Sequence, residues 1–184
     1  MYLFTSARLG FRNWKNSDLI PLQALNQDPL VMEFFPAIKT LEESAIFLKR
    51  MQEDFAARGY CFFAVDQLDT GNFIGFIGLS QHTYLEELGP IVEIGWRLQQ
   101  SSWNQGLATE GAQACLKYGF EQLQLSTIYA VTPLINKKSQ RVMQKIGMQW
   151  VQEFNEEALH NAPHLNPCVS VSYTHLTLPT TPYV

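Results

Sequence analysis

The chain has 184 residues, 46% of them hydrophobic and 12% aromatic, and a formal net charge of −4. That length holds one domain with a real core, and that share of apolar side chains excludes a disordered chain. The acidic balance disfavours a broad electrostatic grip on nucleic acid and leaves room only for a local basic patch.

The opening Met1-Tyr2-Leu3-Phe4 passes quickly into polar residues and Arg8. It lacks the long apolar stretch of a secretion signal, and no later run is long enough to span a bilayer, so a soluble cytoplasmic protein is expected. Leu9 to Asn13 reads as a short strand. Ser17-Asp18 opens a helix with Leu19, Leu22 and Leu25 at helical spacing, and Asp28-Pro29 ends it and restarts a shorter helical piece through Phe34. Thr40-Leu41-Glu42-Glu43 has capping-box spacing, in which threonine and glutamate satisfy each other's orphan backbone donors. The helix it opens carries Phe47, Leu48, Met51 and Phe55 on one side and stops at Gly59.

Strands follow. Tyr60 to Gln67 is rich in aromatic and β-branched residues, Asp69-Thr70-Gly71 is a hairpin turn, and Phe73 to Ser80 returns, with Gly75 and Gly78 suggesting a bend or bulge. Gln81 to Gly89 reads as a polar surface loop, and Pro90 to Leu98 as the next strand. A helix from Ala108 to Leu123 places Ala108, Gly111, Ala112 and Cys115 on one side, small enough for close packing on a sheet. Thr127 to Thr132 is a strand, Asn136 caps a helix through Ile146 that Gly147 closes, and Gln149 to Phe154 is another strand. Hairpins followed by a β-helix-β unit imply a mixed sheet with helices on both faces. The segment Val171 to Thr181 turns abruptly Thr-rich and resembles the translation of a sequencing-library adapter, the plainer alternative being a genuine final strand followed by a disordered end. The expected domain is therefore 1–169, its last native strand ending near Val169, followed by a non-native tail over 170–184.

The most informative stretch is Trp103-Asn104-Gln105-Gly106-Leu107-Ala108-Thr109-Glu110, between a strand and a helix. A glycine just before a helix start lets the backbone approach a ligand, and the free N–H groups of the first turn bind phosphate without a basic side chain. Neither G-x-G-x-x-G nor G-x-x-x-x-G-K-[ST] occurs in the chain, so this is an anion loop of neither standard kind. The plainer alternative is a glycine serving turn geometry alone. Cys61, Cys115 and Cys168 are odd in number and far apart, with no C-x-x-C pair, which argues for a reducing compartment. His82, His160, His164 and His175 share no metal spacing, so no metal is expected.

Three stretches carry a family likeness: Val92-Glu93-Ile94-Gly95-Trp96-Arg97-Leu98, the glycine loop, and Asn136 to Met148. With them in this order the chain resembles the GNAT superfamily of acyl-CoA-dependent N-acetyltransferases, within it the ribosomal-protein N-terminal acetyltransferase branch, over about Leu3 to Leu165. Gly106 and Ala108 match the superfamily loop [Q/R]-x-x-G-x-[G/A], and Trp103 departs from it at the first position. The resemblance implies a mixed α/β (α+β) fold. Its central, mostly antiparallel sheet would have six to seven strands, splayed in the middle, with helices on both faces.

The resemblance also implies acetyl-CoA as co-substrate, its pyrophosphate on the backbone of Gln105, Gly106, Leu107, Ala108 and Thr109. Its pantetheine arm would run beside the strand that carries Trp96 and Leu98, with Asn136 contacting the arm. An amine would attack the thioester directly in a ternary complex. Glu93 is the candidate base, or an ordinary outward strand glutamate. Ser139 either protonates the departing thiolate or is a plain first-turn serine, and Asn136 can serve as N-cap at the same time. Lys137, Lys138 and Arg141 either touch nucleotide phosphates or form a solvated helix face. Trp14, Phe34, Phe35, Trp96 and Trp150 either line an acceptor pocket or pack the core. The expected protein is a monomer or homodimer that acetylates a primary amine on a protein N-terminus or small molecule. The competing function is a catalytically silent acyl-CoA-binding or sensing module.

Overall fold

The computed structural model describes residues 1–83 and 89–174. Strands β1 (Phe4–Thr5) and β2 (Leu9–Arg12) precede α1 (Leu19–Gln27) and α2 (Leu41–Arg58). A meander follows of β3 (Phe62–Gln67), β4 (Phe73–His82) and β5 (Ile91–Leu98). Then come α3 (Leu107–Glu121), β6 (Thr127–Pro133), α4 (Lys137–Lys145), β7 (Gln149–Phe154) and β8 (Cys168–Thr174). The strands form one sheet in the order β1-β2-β3-β4-β5-β6-β8-β7. The expected α+β fold and mostly antiparallel sheet are present, with eight strands rather than six or seven, β1 having only two residues.

Local chemistry explains most boundaries. Thr40 Oγ1 accepts from the Glu43 N–H at 3.1 Å, and the Thr40 N–H donates to Glu43 Oε2 at 2.8 Å, the expected capping box of α2. Asn136 caps α4 by accepting from the Ser139 N–H at 3.1 Å. The expected helical piece through Phe34 is instead a set of turns. Asp28 Oδ1 takes the N–H groups of Leu30 and Val31, and a single Met32-to-Asp28 backbone bond does not propagate, so the side chain competes with the helix ladder and wins. The last strand also differs: β8 pairs with β6 as far as Thr174 and lies between β6 and β7, so it runs past Val169 and β7 is the edge. Val169 and Val171 are both buried in the core, which holds β8 in place beyond the expected end. The 84–88 part of the expected surface loop, His175 and the rest of the Thr-rich tail lie outside the described residues.

Helices cover both faces. Successive strand residues point to opposite sides. Phe76 meets Phe47 of α2 with ring centroids 5.2 Å apart, and its neighbour Ile77 faces Gly111 of α3. A Cβ at Gly111 would meet Ile77 Cδ1, so any larger residue there would force that side chain or the helix to shift. Buried Arg12 joins β2 to the start of α1, with Nη1 2.7 Å from Asp18 Oδ2 and Nε 2.6 Å from Asp66 Oδ2. Burial alone would pull this guanidinium's pKa down, but hydrogen bonds and charge from the two carboxylates carry it above its ordinary value. Replacing Arg12 with methionine strands both carboxylates and should lower unfolding free energy by about 3–5 kcal/mol in urea titrations. A loss below about 1 kcal/mol would mean the cluster is locally replaceable.

Candidate functional site

Gly106 lies in the left-handed region at φ 78°, and no side chain caps the end of α3 that it opens. The geometry sends the chain from β5 through Trp103 into the helix while aiming the first-turn N–H groups outward. Space is not the restriction, because a Cβ at Gly106 would reach only Arg8 Nη2 at 3.7 Å; the backbone conformation is. Trp103 Nε1 donates to the Leu98 carbonyl at 2.8 Å, and Lys138 Nζ lies 4.8 Å from the tryptophan ring centre. The tryptophan that departs from the loop pattern thus pins the loop to β5 and draws α4 toward it.

A second brace comes from far away in sequence. Glu110 Oε1 accepts from Ser6 Oγ at 2.6 Å and from the Arg8 N–H at 2.8 Å, while Oε2 accepts from Arg8 Nε at 2.7 Å. Arg8 Nη2 also donates to the Gln105 carbonyl at 3.1 Å. The turn between β1 and β2 therefore clamps the loop from behind. Burial pushes the Glu110 carboxyl up, and the hydrogen bonds from Ser6 and Arg8 outweigh it, so its pKa lies below the usual value.

β5 is paired along its whole length with β4, but with β6 it shares a single register pair, Glu93 with Tyr129. The two parallel strands diverge beyond this pair, so the β6-facing backbone further along β5, toward Trp96 and Leu98, has no strand to bond among the described residues. A cavity of about 820 Å³ opens there. Six cationic side chains line it against three carboxylates, in a chain whose net charge is −4.

Glu93, Trp96, Leu98, Gly106, Leu107, Ala108, Thr109, Asn136 and Ser139 all line this one cavity. Gln105 does not: its Nε2 donates to the Ser101 carbonyl at 2.7 Å, and its own carbonyl goes to Arg8. Asn136 Nδ2 donates to Ser139 Oγ at 3.2 Å, which leaves the serine hydroxyl proton free to point elsewhere. Lys138 and Arg141 line the cavity although both are exposed, whereas Lys137 does not line it. Phe34, Phe35 and Trp96 are lining residues, Trp14 is buried in the core, and Trp150 is 65% exposed on the outer strand. Among the described residues no cluster of His, Cys, Asp or Glu is arranged to hold a metal, and no helix is long and apolar enough to cross a membrane.

Sequence reasoning missed two further groups. His82, weighed only as a metal ligand, lines the cavity. Register pairs Ser80 with Glu93 and His82 with Ile91, making His82 and Glu93 diagonal neighbours on one face of the sheet. Burial, and to a lesser extent the charge of Arg50, holds the His82 imidazole below its ordinary pKa, so it is neutral at pH 7. Arg97, quoted only as part of a motif, also lines the cavity.

A strand left open on one edge, beside an uncapped helix end and under a cationic cavity, is the framework of an acyltransferase. Residues 8–149 match the model of the acetyltransferase (GNAT) domain, and the chain belongs to that family. It is 31% identical over 146 residues to the uncharacterized N-acetyltransferase YnaD of Bacillus subtilis, covering 79% of this chain and 81% of that one. The crystal structure of a GNAT-family acetyltransferase from Bacillus anthracis superposes with a TM-score of 0.75 at 28% identity, covering 92% and 96% of the two chains. The fold is shared at 14% identity with RimL, a ribosomal L7/L12 α-N-protein acetyltransferase in complex with coenzyme A, at a TM-score of 0.76 and 95% and 98% coverage. The protein is an acyltransferase of the kind that moves acetyl groups to amines.

The depressed pKa of Glu110 makes the rear clamp pH-dependent. Its stabilisation is complete above about 4.3, the ordinary glutamate value, and is lost as pH falls through the lower folded value. The melting-temperature gap between wild type and Glu110→Gln should therefore be widest near neutrality and close on acidification. A gap that stays constant from neutral to acid pH would remove this carboxylate's charge from the account.

Proposed function

We propose that the protein transfers the acetyl group of acetyl-CoA directly to a primary amine, both substrates being bound in the cavity at once. The carrying observation is the β5 edge left open beside the uncapped start of α3. Leu107, Ala108 and Thr109 offer helix-end N–H groups to a pyrophosphate, with Lys138 and Arg141 nearby for further phosphate charge. The Ile94–Leu98 edge of β5 suits the amides of a pantetheine arm lying as an added strand. The backbone N–H groups along that edge also suit a developing oxyanion at the thioester.

The amine must arrive deprotonated. At pH 7 this costs about 1 kcal/mol for an α-amine and about 4.6 kcal/mol for a lysine-like amine. Glu93 and neutral His82, diagonal on one sheet face, form the proton path. Nitrogen attacks the thioester carbonyl, the C–N bond forms, the C–S bond breaks, and the ammonium proton leaves toward Glu93. Ser139, held by Asn136, hydrogen-bonds the departing thiolate and relays a proton to it, its hydroxyl taking a proton from water as it gives one up.

The cost difference sets the outcome for the base. Glu93→Gln should lower turnover more for lysine-like amines than for α-amines, and an equal effect on both would remove Glu93 from the proton path. A thiol of pKa about 8.5 leaves readily without help, so Ser139→Ala should lower kcat only about tenfold to a hundredfold. Both are read by free-thiol release with mixed peptides, polyamines and aminoglycosides as acceptors, alongside calorimetry with acetyl-CoA. Binding without thiol release would favour a silent acyl-CoA sensor.

A further inference from the structure

Two arginines in this molecule leave bulk water, and they are treated differently. Arg12 is met by Asp18 and Asp66. Among the described residues, Arg97 is met by no carboxylate. Its one donated hydrogen bond runs from Nη1 to Asn26 Oδ1 at 2.6 Å, and Nε is buried with no acceptor. The guanidinium carbon lies 3.9 Å from the Phe35 ring centre and 5.1 Å from that of Phe76. These rings occupy its faces, so further hydrogen bonding is left to its edges. Desolvation pulls its pKa down to about 10, which still leaves it charged at neutral pH.

The neutrality of its partner is fixed by a network. Asn26 Nδ2 donates to Ser44 Oγ at 3.0 Å, Ser44 Oγ donates to Gln23 Oε1 at 2.6 Å, and Gln23 Nε2 donates to the Lys39 carbonyl at 3.0 Å. This chain orients the Asn26 amide so that its oxygen faces Arg97. The α1–α2 layer therefore positions Arg97 without cancelling its charge. A desolvated cation without a counter-charge is costly, and it persists where a ligand supplies the anion.

The position matters as much as the charge. Glu93, Gly95 and Arg97 alternate along β5 and so share one face of the sheet. Glu93 and Arg97 are about 13 Å apart along the strand, with glycine between them. Arg97 lies against Phe35, in the segment between α1 and α2.

Resting on the acetyl-transfer reading above, we propose that the amine acceptor carries a carboxylate and that Arg97 receives it, as for an amino acid or the free C-terminus of a short peptide. A carboxylate suits this site better than a phosphate dianion, because one guanidinium serves it and a planar monoanion matches a guanidinium edge. Polyamines, whose far end is cationic, are excluded by the same group.

The test uses product-like probes on the whole protein saturated with CoA: N-acetylated glycine oligomers of two to four residues, each as the free acid and as the C-terminal amide, titrated by calorimetry. At one length or more the acid should bind roughly tenfold tighter than the amide, the worth of one charge-assisted pair. Arg97→Gln should bring the two forms to near-equal affinity, and Arg97→Lys should keep part of the preference. Equal affinity of acid and amide in wild type, absence of binding by every oligomer, or a preference that survives Arg97→Gln overturns the proposal. The wild-type acid-to-amide comparison needs no variant to fold. Failure of CoA itself to bind would instead overturn the acetyl-transfer reading, so the two failures are told apart in one experiment.

Discussion

The candidate site depends on one interrupted ladder. β5 is fully paired with β4 and touches β6 at a single register pair, so one long edge of backbone is withheld from the sheet in the middle of the core. Unpaired backbone inside a protein is costly, and the sheet tolerates it only because α3 and α4 frame the gap and make it a cavity. The βαβ unit produces the gap by geometry. A parallel crossover must leave β5, climb through α3 and return as β6, and the loop that starts α3 begins where the two strands part. The open edge and the uncapped helix end are two consequences of the same crossover.

The loop is then held from three directions. Trp103 ties it to the carbonyl of Leu98, Arg8 and Ser6 hold Glu110 from the β1–β2 turn, and Gln100 Nε2 reaches Asp28 Oδ2 at 2.6 Å. The last bond links the stretch before the glycine loop to the segment that bears Phe34 and Phe35, which also line the cavity. None of these contacts touches a ligand. They keep the first-turn N–H groups pointed outward, and a preorganised helix end binds an anion without the cost of ordering it first.

What was legible in the sequence was local. The capping box at Thr40, the Asn136 cap and the glycine before α3 each state their geometry within a few residues, and all three appear as read. That β5, the loop before α3 and the start of α4 meet at one cavity was legible for the same reason, since the lining residues cluster in three short stretches. Long-range contacts were not. Nothing near Glu110 announces a partner 104 residues earlier, and nothing near Arg97 announces an amide 71 residues away. The order β6-β8-β7 was hidden as well, because inserting the last strand between two earlier ones follows from burial of Val169 and Val171 rather than from any turn signal. The turns after Asp28 were misread as helix because a Pro29 start signal is also compatible with an Asx turn, and only the hydrogen bonds separate them.

Net charge misleads in an instructive way. An acidic chain argues against broad binding of polyanions, yet six of the cations in this one face a single cavity. Fields add where charges converge and where low-dielectric walls keep water out, so a local excess can attract an anion that the molecule as a whole would repel. The cations are also divided. Lys138 and Arg141 are exposed on α4 beside the helix end, where hydration lowers their cost and they suit a mobile, highly charged phosphate chain. Arg97 is half-buried, stacked and oriented by a neutral network, which suits one fixed and discriminating contact. The same charge suits two different jobs according to its solvation: on the proposed reading, exposed lysine and arginine would set the attraction, and the desolvated guanidinium the choice of what is attracted.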